Sequence, residues 1–190
     1  LTFFRPGRTF PAVSVTGKRC DLQCDHCRGH YLQGMHAIHT PDELLSFAFD
    51  LEGRGGEGFL ISGGCDERGK IPLSPFIGAI SRIKGRTKLL INAHTGLLDE
   101  EEARSLVGAS IDCFSLDVLQ DDETIRNVLH LPASGRDYEG TVEALFTAGA
   151  RTVVPHICIG LSSETGEMRS IEMLSRYPIS ALIMLAFVPT

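Results

Sequence analysis

The sequence predicts an α/β fold, a partial TIM-type (β/α)6 barrel with parallel strands, and three observations carry that prediction. Strand-like runs alternate with helix-like runs from one end of the chain to the other, the pattern of parallel strands joined by helical crossovers. The unit repeats six times with no long linker, low-complexity tract or charge block between copies. The chemically distinctive stretches, a group of cysteines and several glycine-containing or polar turns, fall directly after strands, where folds of this kind build their sites.

The first strand, 12–16, leads into the cysteine loop. A helix then opens on Thr40-Pro41-Asp42-Glu43, with a hydroxyl cap, a proline in the first turn and a glutamate three residues after the cap. Leu44, Leu45, Ala48 and Leu51 follow at helical spacing, and the glycine-rich turn 53–58 ends the unit. The second strand is 59–62, followed by a glycine turn and a helix opened by Ser74 and Pro75 that carries Ile77, Ile80 and Ile83. Strand three is 88–93, with an acid-rich helix start at 99–107. Strand four is 111–116, with helical segments near 121–129 and 137–148. Strand five is 152–160, then a helix at 167–175 and strand six at 181–188. That last segment is the longest strictly apolar stretch. Its eight residues fall short of the roughly 18 that span a bilayer, so it is expected as a buried strand.

With 190 residues and 43% apolar content, one well-buried core domain over 1–190 is expected. A net charge of -6, a pI near 5.6 and the lack of a Lys/Arg run argue against nucleic acid or an anionic membrane as partner. A small-molecule substrate, or one presented on a carrier protein, fits better. No charged-then-apolar leader precedes the first strand, so the six cysteines are expected as thiols or metal ligands in a reducing cytoplasm. A chain that opens on Leu1 rather than Met and stops at Thr190 straight after a strand is expected to be shortened at one or both ends.

The loop Cys20-Asp21-Leu22-Gln23-Cys24-Asp25-His26-Cys27 has a C-x3-C-x2-C spacing that can bring three thiolates round one centre. A four-iron cubane needs four ligands, so three protein sulfurs leave one iron open to an outside chelator. The competing reading is structural zinc, with one of His26, His30, His36 or His39 completing a Cys3His site. Zinc ligands usually come as two short pairs with a spacer, and zinc leaves the surrounding barrel unexplained. A disulfide reading leaves an odd cysteine and asks for an oxidising compartment.

On this spacing, in the loop after the first barrel strand, the chain resembles the radical S-adenosylmethionine (SAM) superfamily. The resemblance implies a [4Fe-4S] cluster on Cys20, Cys24 and Cys27, with the amino and carboxylate groups of SAM on the open iron. It implies an electron donor such as ferredoxin or flavodoxin, and cleavage of SAM to methionine and a 5'-deoxyadenosyl radical that takes hydrogen from a substrate. His26 stands where the family usually has an aromatic residue whose backbone meets the adenine, and keeps a flat ring. The turn Ile61-Ser62-Gly63-Gly64-Cys65-Asp66 resembles the family's Gly-Gly-Glu-like turn for the cofactor's amino group. Paired glycines let backbone approach a ligand. Cys65 occupies the glutamate position, so the implied contacts are those of Ser62, Gly63 and Gly64. Ser115 and Asp117, two residues apart on one strand face, resemble the Asn-x-Asp ribose motif of biotin synthase. The fifth strand resembles a G-x-I-x-G-x-x-E segment that lines adenine. His156 replaces the first glycine, Cys158 the isoleucine, and Glu164 falls one residue late. Cys158 is then a small apolar wall and Gly160 the firmer match.

The run from Phe10 to Gly17 and the segment Ser115-Leu116-Asp117-Val118-Leu119 are similar to the biotin synthase and lipoyl synthase branch, archaeal-type two-subunit lipoyl synthases included. That implies sulfur-insertion chemistry and a partner subunit. Biotin synthase carries extra cluster ligands on strands two, three and five; the positions here on strands three and five are near Asn92 and Val154, neither a thiol. Cys65, Cys113 and Cys158 are expected as buried apolar cysteines, with Cys113 facing the barrel interior. Asn92, His94 and His156 lie on or just after interior strands, where such side chains can contact substrate or shuttle a proton but more commonly end as hydrogen-bonded structural groups. The alternative function is a non-catalytic zinc- or cluster-binding subunit of a larger complex.

Overall fold

A computed structural model describes residue 7 and residues 9–188. Seven strands form one sheet in the order β2-β1-β3-β4-β5-β6-β7, every pair parallel. They are β1 (Ala12–Ser14), β2 (His36–Ala37), β3 (Gly58–Ser62), β4 (Leu90–His94), β5 (Cys113–Asp117), β6 (Val153–Ile159) and β7 (Ile183–Ala186). Six helices connect or flank them: α1 (Pro41–Gly53), α2 (Ile77–Arg86), α3 (Glu100–Gly108), α4 (Asp122–Asn127), α5 (Gly135–Thr147) and α6 (Glu164–Leu174). Six of the strands stand where the sequence places them, and the sheet is an open, partial barrel. The two-residue β2, which no hydropathy pattern marks, extends the sheet beyond β1.

Alternation along each strand decides which face is which. Phe59 and Ile61, Ile91 and Ala93, Phe114 and Leu116, and Val153 and Ile157 are all at most 2% exposed and form one core with Leu44, Ala48, Ile80, Ile83, Leu106 and Leu145 of the helices. The opposite parity, Ser14, Ser62, Asn92, His94, Ser115, Asp117, His156 and Cys158, falls on the concave face. The helix layer is therefore dry and the interior layer polar, the division a barrel needs if its inside holds a ligand.

Caps fix where the helices begin. Thr40 accepts from the Glu43 N–H, while the Glu43 carboxylate reaches back one residue further than a capping box requires, to the His39 N–H. Asp99 and Glu102 form a full capping box on α3, and Lys70 donates to both carboxylates. The Glu102 N–H and the Lys70 ammonium hold the Asp99 carboxyl at about 2, below its ordinary 3.8. A depressed carboxyl stabilises the fold above its unfolded value and loses that contribution as pH falls through the folded value. Asp99→Ala is therefore expected to cost about 1 kcal/mol near neutrality. The gap to the parent should narrow as thermal melts are taken from pH 4 toward pH 2; a constant gap would exclude the cap as its source.

One expectation is corrected. The apolar run 181–188 is an exposed edge, not a buried strand: Met184 and Val188 are each 64% exposed and Ile183 and Leu185 about 40%. Within the described residues β7 pairs only with β6 and no element covers its outer side. Burial of an edge strand depends on what stands beside it, which local hydropathy does not encode. Among the described residues no helix is long and apolar enough to cross a membrane.

Candidate active site at the C-terminal ends of the strands

The cysteine loop is seated from both sides. On one side Thr16 donates its hydroxyl to the Arg19 carbonyl and accepts the Gly64 N–H, and the Asp21 N–H donates to the Cys65 carbonyl. On the other, the Asp25 N–H donates to the Val128 carbonyl, the Cys24 thiol faces the Leu129 carbonyl at 3.4 Å, and His130 pairs with Asp25 at 3.0 Å. Leu22 packs on a satellite cluster of Leu97, Leu119, Ile125, Leu131 and Tyr138 that forms the floor under this half of the loop. Left-handed backbone at Gln23 and Arg28 makes the chain turn back on itself around the cysteines.

Gly64 is required by close approach. A Cβ there would run into the Arg19 carbonyl and stand 2.6 Å from the Cys20 Cα. Gly64→Ala is expected to push the cysteine loop outward and lower the iron that the chain retains after anaerobic reconstitution. Gly78→Ala, which meets open space in α2, leaves iron content unchanged. Equal iron in both variants would show that the turn does not seat the loop.

Cys24, His26 and Cys27 place their ligand atoms within 4.8 Å of one another, with Cys24 buried. Cys20 stands outside that tight trio and is coupled to Cys24 and Cys65 electrostatically. Contact with the Cys24 side chain lowers Cys27 to about 4 against the opposing effect of burial, with His26 and the Gly29 N–H adding to the effect. The same contact, with burial, pushes Cys24 up. Contact with Cys27 also raises His26. The thiolate is the metal-binding form of cysteine, and this shift favours it at Cys27. Burial pushes the neighbouring Cys65 thiol up to about 12, a protonated, inert state.

The other residues singled out in the sequence lie on the same face. Ser62 ends β3 at 6% exposure, and Gly63 and Gly64 follow it. Ser115 and Asp117 share one face of β5 but differ in access. Ser115 is 1% exposed and donates to Asn92 Oδ1 at 2.7 Å, whereas the Asp117 side chain is 66% exposed at the mouth. Loss of hydration to the surrounding strand ends works to raise this exposed carboxyl, and His94, His156 and His26 outweigh it, so it lies below the ordinary range. His26, on the cysteine loop, is thus within electrostatic reach of β5, which joins the two halves of the site. Cys158 lies on the concave face beside Leu185. Gly160, at φ +91°, donates its N–H to Glu167 at 2.6 Å. Glu167, not Glu164, therefore braces this turn, and the sequence motif did not point to it. Thr16 was likewise missed; its only signal is a hydroxyl at the end of the first strand.

No family model matches the chain. In sequence it is 25% identical over 153 residues to a biotin synthase from Syntrophotalea carbinolica, covering 78% of this chain and 45% of that protein. In structure it superposes on methylornithine synthase with a TM-score of 0.71 at 16% identity, over 95% of this chain and 53% of that one. It superposes on the Escherichia coli coproporphyrinogen III oxidase, described as a radical SAM enzyme, with a TM-score of 0.57 at 9% identity, over 94% and 43%. The chain spans about half the length of the relatives it matches. The fold is thus similar to that of methylornithine synthase and of a radical SAM enzyme, and the sequence is similar to a biotin synthase.

Proposed function

We propose that this chain is the core domain of a radical SAM enzyme, and the observation that carries the proposal is the cysteine loop pinned across the open end of a partial barrel with Cys24 and Cys27 brought together. The donor set fits an iron-sulfur cluster. Cys20, Cys24 and Cys27 come from one loop, and the spread of Cys20 away from the other two suits ligands to three different irons better than three ligands to one ion. When bound, the cluster supplies the electron that splits SAM into methionine and a 5'-deoxyadenosyl radical, which takes hydrogen from the substrate.

The chain's own residues bind, orient and shield. Ser62, Gly63 and Gly64 offer backbone to the cofactor's amino group, in a turn that a Cβ at Gly64 would block. Asp117 is the exposed carboxylate suited to a ribose hydroxyl. Ser115, occupied by Asn92, acts by fixing the floor beneath it. His26, Cys158 and Gly160 line the adenine side. The substrate is a small molecule, free or on a carrier protein, and the electron donor is of the ferredoxin or flavodoxin type. Six free thiols suit a reducing cytoplasm. Sulfur insertion from a second cluster on Cys65, Cys113 and Cys158 is not supported. Cys113 lies level with residue 152 on β6, so Cys158 is six residues further along the sheet, roughly 20 Å away.

The tight Cys24-His26-Cys27 trio favours a second reading, a zinc site in a non-catalytic subunit. Anaerobic reconstitution decides between the two. A brown protein with four irons per chain that releases 5'-deoxyadenosine when SAM and dithionite are added supports the enzyme. A colourless protein that retains zinc in place of iron overturns it.

A further inference from the structure

On the concave face, beyond the cysteine loop, three side chains from three adjacent strands converge. His94 ends β4, Asp117 ends β5 and His156 lies in β6. The parallel register sets Asp117 directly beside His156, and His94 beside Ser115, one interior position below Asp117. His94 Nε2 lies 3.7 Å from Asp117 Oδ2, and His156 Nδ1 lies 3.9 Å from Asp117 Oδ1. One ligand atom from each lies within 4.8 Å of the other two.

These separations are too long for hydrogen bonds, which close at about 2.7–3.2 Å. They are close to the spacing of ligands around one transition-metal ion, where bonds of about 2.0–2.2 Å leave the donor atoms roughly 3.2–3.5 Å apart. One ligand atom from each side chain gathers in this space at distances longer than a hydrogen bond. In His156 it is Nδ1 that faces the carboxylate, and no hydrogen bond among the described residues holds it. That nitrogen is open to a further ligand. His94, by contrast, has Nδ1 3.5 Å from the Ser62 hydroxyl, the outer contact that orients a ligating imidazole and leaves its Nε2 free to bind. The two rings are 5.3 Å apart and tilted by 33°.

We infer that His94, Asp117 and His156 form a second metal site that takes one divalent transition-metal ion, of the class that two imidazoles and a carboxylate select, such as Fe2+ or Zn2+. Three protein ligands leave positions open, and the exposure of Asp117 turns them toward the mouth of the barrel, where an oxygen or nitrogen of a small ligand can complete the shell. The site contains no thiol and forms whether or not the cysteine loop carries iron, so it stands independently of the radical SAM reading. The carboxylate presents one oxygen to each histidine, so an ion here and the ribose proposed above compete for Asp117.

The probe is Co2+, added anaerobically to the full chain with Cys20, Cys24 and Cys27 replaced by alanine. The expected result is one equivalent bound with weak visible ligand-field bands and no sulfur-to-metal charge-transfer band. His94→Ala or His156→Ala in that background should weaken binding at least tenfold. Absence of Co2+ binding in a folded triple variant, or binding indifferent to both histidine substitutions, overturns the site. If the triple variant does not fold, crystals of the cluster-loaded chain soaked in Zn2+ answer the same question. An anomalous peak among the three side chains supports the site, and its absence there refutes it.

Discussion

Cys24→Ala is expected to give a folded chain that neither holds a stable cluster nor releases 5'-deoxyadenosine. The loss should exceed the roughly 10–100-fold typical of residues that only support a metal ligand, because here the ligand itself is gone. Cys24 is 7% exposed, and its thiol contacts both Cys27 and the Leu129 carbonyl. Its removal therefore also frees Cys27 from the contact that lowers it to about 4. The barrel should survive, since the core of strands and helices contains none of the loop thiols. Iron content, far-ultraviolet circular dichroism and cofactor cleavage, read on one preparation, check all three statements. Retained cleavage would show that the cluster is held elsewhere.

Phe59→Ala carries the largest expected cost in stability. Phe59 is fully buried in β3, between the sheet and α1, with its ring edge-on to Phe47 at a centroid distance of 5.7 Å. Truncating such a side chain removes its transfer free energy and leaves a cavity, together about 3–5 kcal/mol. A domain of this kind has only about 5–15 kcal/mol in total. The urea midpoint should fall steeply. Phe49→Ala, on the exposed side of the same helix, should stay within about 0.5 kcal/mol of the parent. Similar shifts for the two would mean that β3 is not the centre of the core.

The fold was legible because its signals are local. Asp99 followed by Glu102, Thr40 before Pro41, and Ile77, Ile80 and Ile83 at helical spacing each specify a helix start or buried face within a few residues, and the structure uses them all. The strands were legible for the same reason, alternation within a short run. What the sequence hid depends on neighbours distant in the chain. The edge position of Ile183–Ala186 is a property of sheet order, and the two-residue pairing of His36 and Ala37 with β1 has no periodicity to detect.

The site divides the same way. Cys20, Cys24 and Cys27 announce themselves by spacing, and Gly63-Gly64 by position after a strand. Asp117 was legible as a candidate, but its neighbours His94 and His156 become a group only when three parallel strands come into register. The burial of Ser115 under Asn92, and the exchange of Glu164 for Glu167 at Gly160, are three-dimensional facts that a linear motif cannot carry.

The claim at the centre is that three sulfurs of one loop leave an iron open to SAM. Electron paramagnetic resonance of the dithionite-reduced, reconstituted chain tests it most directly. The spectrum should be that of a reduced four-iron cluster and should change shape when SAM is added, as the open iron gains its amino and carboxylate ligands. A reduced cluster whose spectrum is indifferent to SAM, or a chain with no iron signal at all, would contradict the account.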